Sequence, residues 1–189
     1  MNEIYESEAD EPEVAEVEEI QIDNAQIQSV IYQIRSEQNL MLGTIAGAIA
    51  ALVGASIWAA ITVATEFQIG WMAIGVGFMV GGAIRAFGKG VDNVFGIVGA
   101  VLTLVGCIGG NLLAMCGLLA VEVDVGFFVV VSRLTPQIAY ELLVATFHPM
   151  DLLFYGIAVY EGYKLSFRQL TDLDIVERIP GLGTADSQS

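Results

Sequence analysis

Apolar positions in this chain come in long unbroken runs rather than in alternation. From Met41 to Ala64 no residue is charged, and a run of 24 residues is long enough to cross a hydrocarbon core of about 30 Å with some tilt. Thr65-Glu66-Phe67-Gln68 interrupts the run, and a second apolar stretch resumes at Ile69 and continues to about Phe87. Together they predict a tight helical hairpin. A third uncharged run, from about Val94 to Ala120, is longer than one crossing needs, so it reads either as one tilted helix or as two. A fourth, shorter stretch covers 151–165, with His148-Pro149 as the break before it and Asp151 as its expected cap. Helices satisfy their own backbone hydrogen bonds and so can cross lipid. The expected fold class is an all-α membrane protein, a four-helix transmembrane bundle spanning 41–64, 69–87, 94–120 and 151–165.

The flanking segments have different patterns. Residues 122–150 form the one long connection, interfacial or soluble, in which Thr135-Pro136 places a cap before a proline at the first helical position. An interfacial helix from Pro136 to about Phe147 is expected. Ahead of the first span, Ile20, Ile27, Val30, Ile31 and Ile34 recur at helical spacing and predict an amphipathic helix within 20–40. It suits a helix at the membrane surface leading into the first span, or a short coiled-coil contact with a partner. Residues 1–19 carry nine carboxylates and no cation, the composition of a disordered tail, and 166–189 form a second tail.

Composition agrees with a lipid solvent. The 189 residues are 55% hydrophobic and only 15% charged, with a mean hydropathy of +0.66, too apolar for a soluble domain. The net charge of −15 describes a tail more than a surface, because ten of the 22 acidic residues precede Arg35, the first cation. Basic residues near span ends set orientation. With four crossings, Arg35, Arg85, Lys89, Lys164, Arg168 and Arg178 fall on one side and only Arg133 on the other, which predicts that both termini are cytoplasmic. The N-terminus has no basic region followed by an apolar stretch, so the first span is expected to act as its own insertion signal. Trp58 and Trp71 are expected at the outer interface, where indoles concentrate.

Small residues supply the packing logic. Lipid tails are as apolar as leucine, so helices in a bilayer associate through close approach and hydrogen bonds. Gly43, Gly47, Ala51, Ala55 and Ala59 form an i, i+4 series, continued by Ala73, Gly77 and Gly81 in the second span and by Gly106, Gly110 and Ala114 in the third. Small-xxx-small packing between these ridges is expected.

The polar positions give few chemical leads. Arg85 and Glu161 are the ionisable candidates for intramembrane contact, expected at one depth and therefore paired, and Asn111 is the amide expected to hydrogen-bond across helices. His148 stands alone beside Pro149 and Asp151, without the clustered ligands of a metal site. Gly88-Lys89-Gly90 lacks the rest of a phosphate loop. Cys107 and Cys116 are nine residues apart on opposite helix faces, which excludes a disulfide between them. No catalytic residue, cofactor or metal is expected, and the chain does not read as an enzyme.

The stretch Gly70-Trp71-Met72-Ala73-Ile74-Gly75-Val76-Gly77-Phe78-Met79-Val80-Gly81, followed by Arg85 and Gly88-Lys89-Gly90, resembles a hairpin that recurs in an uncharacterised group of small bacterial glycine-rich inner-membrane proteins. Asp151-Leu152-Leu153-Phe154-Tyr155-Gly156-Ile157-Ala158, with Tyr163-Lys164, is similar to the closing helix of that group, so the resemblance covers roughly residues 41–165. It implies a bacterial inner membrane and a variable soluble N-terminal extension, and no activity. The expected function is a membrane structural or accessory subunit. The lipid bilayer is its surroundings, and residues 1–40 are offered to a membrane or cytoplasmic protein partner. The alternative is a pore-forming or transport component acting as a homo-oligomer. Nucleic acid is excluded as a partner of the acidic tail by charge repulsion.

Overall fold

The structure is a computed structural model that describes residues 24–67, 70–169 and Arg178. The acidic tail over 1–19, the start of the amphipathic segment and most of 166–189 lie outside the described residues. Regular structure among the described residues is entirely helical: α1 (Asn24–Ser36), α2 (Leu40–Thr65), α3 (Trp71–Gly88), α4 (Asn93–Glu122), α5 (Phe127–Ser132), α6 (Pro136–Thr146) and α7 (Pro149–Leu165).

Local chemistry sets the ends of these helices. α2 starts where the Asn39 side chain accepts a hydrogen bond from the Leu42 N–H at 2.8 Å, and stops at Glu66, in the left-handed conformation at φ 58°. α3 ends in the same way at Lys89, φ 48°, whose N–H donates to the Arg85 carbonyl at 3.2 Å. The long third apolar run is a single helix of 30 residues, about 45 Å in length. It continues to Glu122, and Asp124, at φ 51°, turns the chain just beyond it. The Phe127–Val131 run, which carries no helical signal in sequence, folds as α5. α6 begins at Thr135, whose hydroxyl accepts from the Ile138 N–H at 3.3 Å. α7 begins three residues earlier than expected on the cap assignment. His148 is the cap, Pro149 fills the first helical position, and the Asp151 carboxylate accepts from the His148 N–H at 2.9 Å.

Three of the helices, α2, α3 and α4, are long and apolar enough to cross a membrane. α6 and α7 qualify together, bent by 108° at the His148 break, which brings the number to four if the pair counts as one span. α7 alone has 17 residues and reaches about 25 Å.

α3 and α4 pack against each other, with α2 along one side of the pair and α7 along the other. The backbones of α2 and α7 stay apart, and Trp58 and Tyr155 bridge them, ring edge to face at 6.3 Å. Register follows from the close pairs. Gly43 faces Gly88 and Gly47 faces Ile84, so α2 and α3 are antiparallel, while Ala51 faces Gly106 and Ala55 faces Gly110, so α2 and α4 are parallel. Ala158 lies on Gly77 and Leu165 on Gly81, so α7 runs with α3 and against α4. Successive long helices therefore alternate in direction, and the end of α7 returns to the level where α2 starts.

Size rather than polarity distinguishes the inner from the outer face. On α2, Gly43, Gly47, Ala51, Gly54, Ala55 and Ala59 turn inward, and Met41, Ile45, Ile49, Leu52 and Ile57 turn outward. Where both surroundings are apolar, transfer from solvent contributes little, and contact between closely packed atoms decides the arrangement. Trp58 departs from the expectation of an interfacial indole: only 2% of it is exposed, in a core with Val76, Val80, Ile84, Cys107 and Ala158. Gly110 on α4, opposite it, leaves the volume that the indole occupies. Trp71, by contrast, is 70% exposed.

Candidate functional site

Polar side chains gather at the end of the packed helices where α2 begins and α3 and α7 finish. Gln38, in the corner between α1 and α2, reaches the turn between α3 and α4. Its carbonyl oxygen accepts from the Val91 N–H at 3.0 Å and the Asp92 N–H at 3.3 Å, and its amide nitrogen donates to the Asp92 carboxylate at 3.0 Å. Arg35 adds an ion pair to Asp92 at 3.3 Å. Two backbone bonds join the same end, from the Asn39 N–H to the Gly88 carbonyl at 2.9 Å and from the Arg168 N–H to the Gly90 carbonyl at 2.8 Å. Arg178 closes on Glu37 at 3.1 Å.

Of these contacts the Gln38 fork is the strongest hold. The Arg35–Asp92 pair has both side chains well exposed and belongs to the class worth about 0–1 kcal/mol. Gln38 is half-buried and satisfies two backbone N–H groups of a tight turn, which its removal would leave unpaired. Gln38→Ala is expected to cost about 2 kcal/mol, and Arg35→Ala less than half of that. Thermal unfolding in detergent, with the two variants side by side, checks the order.

Beside this fork lies a cavity of about 510 Å³. Its walls come from Ile34 of α1 and Glu37 just after it, Arg85 and Ala86 near the end of α3 and Lys89 just after it, Val91, and Arg168 and Arg178 beyond α7. A second cavity, about 930 Å³ and almost wholly apolar, lies toward the other end, between the small residues Ala60, Val63 and Gly117 and the α5 side chains Phe127, Phe128 and Val131.

The residues expected from sequence divide accordingly. Arg85 and Glu161 are not joined by an ion pair among the described residues. α3 and α7 run parallel with Leu165 and Gly162 beside Gly81, so Arg85 lies about a turn beyond Glu161 rather than level with it. Arg85 is instead on the wall of the first cavity. Asn111 is 1% exposed and shares a side-chain hydrogen bond with Tyr155 on α7, whose hydroxyl also donates to the Cys107 carbonyl at 3.5 Å. Elsewhere in the interior, Trp58 Nε1, Thr62 Oγ1 and Thr103 Oγ1 are buried with no hydrogen-bond partner among the described residues. His148 is exposed, holds its own helix start and places its Nδ1 3.0 Å from the Thr146 carbonyl oxygen. No group of three or more His, Cys, Asp or Glu among the described residues is arranged to hold a metal ion. Cys107 and Cys116 are both buried free thiols.

The small-residue ridges meet as follows. A Cβ added at Gly43 would lie 3.0 Å from the Gly88 Cα, one at Gly47 2.6 Å from Ile84, and one at Gly106 3.2 Å from the Ala51 Cβ. A Cβ at Gly77 would strike the Ala158 carbonyl, and one at Gly81 would lie 2.7 Å from the Leu165 Cβ. Ala73 is fully buried. A further close approach, of Gly99 on α4 to Gly162 and Ser166 on α7, involves glycines outside the expected series, and Gln38 lies outside the expected contacts as well. The i, i+4 spacing could have pointed to Gly99, which follows Phe95 and precedes Thr103. Gln38 carries no local signal, since its partners are more than 50 residues away.

Length, apolarity and number of the candidate spanning helices fit a multi-pass membrane protein. Beyond that class the comparisons add nothing: no protein-family model, no curated protein and no solved structure matches it.

Proposed function

We propose that this chain is a structural or accessory subunit of a bacterial inner membrane. It crosses four times, with α2, α3, α4 and α7 as a small-xxx-small bundle and α6 at the interface. Both termini are cytoplasmic, and the acidic N-terminal segment is offered to a protein partner with a basic surface. The observation that carries this reading is the solid interior. Between the two cavities, Val76, Val80, Ile84, Cys107 and Ala158 are each exposed by 2% or less, so the described helices are closely packed at this level. The return of α7 to the level of the α2 start supports the fourth crossing, because a helix lying flat would not follow α3 from Gly77 to Gly81. The bulky apolar exterior of α2 supports residence in lipid.

A second reading has one observation in its favour. Gly75 and Gly82 are seven residues apart on the outward side of α3 with nothing within 4 Å, the kind of surface on which another helix can approach closely. A homo-oligomer enclosing a solute path between copies would use it.

Gentle extraction at native stoichiometry separates the two. The accessory reading expects a heteromeric partner to co-purify with the full chain and to be lost on deletion of residues 1–19. A homo-oligomer that conducts ions in liposomes, with no partner retained, would sink it in favour of the second reading.

A further inference from the structure

The apolar cavity goes beyond that proposal and rests on its membrane reading alone. Its space of about 930 Å³ exists because α5 packs on α4 while its backbone stays away from α2. The wall on α2 runs from Ser56 to Ala64, about 12 Å of helix axis. That is close to the depth of hydrocarbon in one leaflet, about 15 Å. Ser56, Ala60 and Ala64 recur every four residues and are all exposed, on a helix that elsewhere turns Ile45, Ile49 and Leu52 outward. Small residues therefore make a groove that is open along its length. Apolar walls give water few partners, so the fitting occupant is apolar, and the acyl chains of a bilayer meet the groove at its own depth.

Charge at the mouth selects the headgroup. Asp124 lines the cavity just beyond α4, with Glu122 two residues before it, and both are exposed. Neither carboxylate has an ion pair or a hydrogen bond among the described residues. The 122–150 connection, described throughout, holds Glu122, Asp124 and Glu141 against Arg133 as its one arginine or lysine. Glu66 ends α2 on the same side, and Gln68 and Ile69, which lie outside the described residues, carry no charge. An acidic rim repels an anionic headgroup and suits a cationic amine.

We propose that this groove binds one phosphatidylethanolamine, with an acyl chain lying between α2 and α5 and the headgroup ammonium at Asp124. Ordinary contact with surrounding lipid needs neither a groove one leaflet deep nor a carboxylate at its mouth. The volume is within the usual range for sites that hold a small molecule.

The test places the purified full chain in nanodiscs of phosphatidylcholine that carry a minor share of phosphatidylethanolamine or phosphatidylglycerol. Native mass spectrometry then counts the lipids retained. Phosphatidylethanolamine should be kept about fivefold over phosphatidylcholine, the upper end of what one exposed ion pair supplies, and phosphatidylglycerol less than either. Asp124→Asn keeps a residue that tolerates the left-handed backbone at φ 51°, and should abolish the amine preference while a lipid is still held. Ala60→Phe fills the groove from an exposed position and should lower retention of every lipid about fivefold. Ile57→Phe, on α2 but outside the groove, should change neither. A preference that is absent, that survives Asp124→Asn, or that is untouched by Ala60→Phe overturns the proposal. So does a dimer that Ala60→Phe breaks, which gives the groove to a second copy of the chain. A chain that fails to enter the nanodisc overturns the membrane reading as well, whereas one that enters without preference overturns this proposal alone.

Discussion

Gly162→Leu is expected to release α7 from α3 and α4 at a cost of about 3 kcal/mol, near the upper end of the range for inserting bulk into a packed core. A Cβ at this position would strike the Thr103 hydroxyl and lie 3.0 Å from the Thr103 Cβ and 3.2 Å from the Gly99 carbonyl oxygen. Two of those atoms are on or next to backbone, so neither helix can yield by changing a rotamer. The Ser166 hydroxyl, which donates to the Gly162 carbonyl at 2.5 Å, would be displaced with it. Cys107 is a native reporter, since it is fully buried and its carbonyl accepts from Tyr155 of α7. In a Cys116→Ser background, the rate at which a thiol reagent labels Cys107 should rise in Gly162→Leu. Gly156→Leu, on the same helix with nothing within 4 Å, should leave that rate unchanged. Equal labelling in the two variants would show that α7 is not held by close backbone contact.

Trp58→Ala is expected to destabilise the fold by about 3 kcal/mol, at the low end of the range for aromatic truncation in a core. The low end applies because the alternative environment is lipid rather than water, which leaves the lost contacts and the cavity as the main terms. Those contacts include the Tyr155 ring and the Gly110 backbone, so the loss also loosens the ring bridge between α2 and α7. Trp58→Phe should recover much of the deficit. Trp71→Ala should cost well under 1 kcal/mol, because that indole is largely exposed and meets the protein chiefly through the Phe154 ring at 5.8 Å. Reversible denaturation in mixed micelles measures both. Similar losses at the two tryptophans would contradict the buried position of Trp58.

The two largest effects fall on residues that sequence reasoning treated differently from the structure. Trp58 was assignable to an interface because indoles favour one and because its place near the end of an apolar run fits that preference. Its burial depends on Gly110 being small on another helix, α4, which no pattern within α2 reports. Gly162 stands near the end of the least regular apolar stretch, between Glu161 and Tyr163, and only its alignment with Gly99 makes it a contact. The Arg85–Glu161 pair is the reverse case. Both are charged and both are near a helix end, yet the parallel register of α3 and α7 separates them along the axis.

Sequence by itself determined the helices that can cross a membrane and the identity of their small faces, because both are local properties. A run without charge has a length, and a ridge of Gly43, Gly47, Ala51 and Ala55 has a spacing of four, whatever it meets. It likewise determined the α6 start, since Thr135 and Pro136 act on their own backbone. Tertiary structure decided which ridge faces which helix, the depth of Arg85, the placement of Trp58, the Gln38 fork and the meeting of four cations at one cavity. Each joins residues far apart in the chain, and in lipid, where no difference in polarity drives helices together, the fit of atoms across the contact selects among arrangements that the sequence pattern leaves equal.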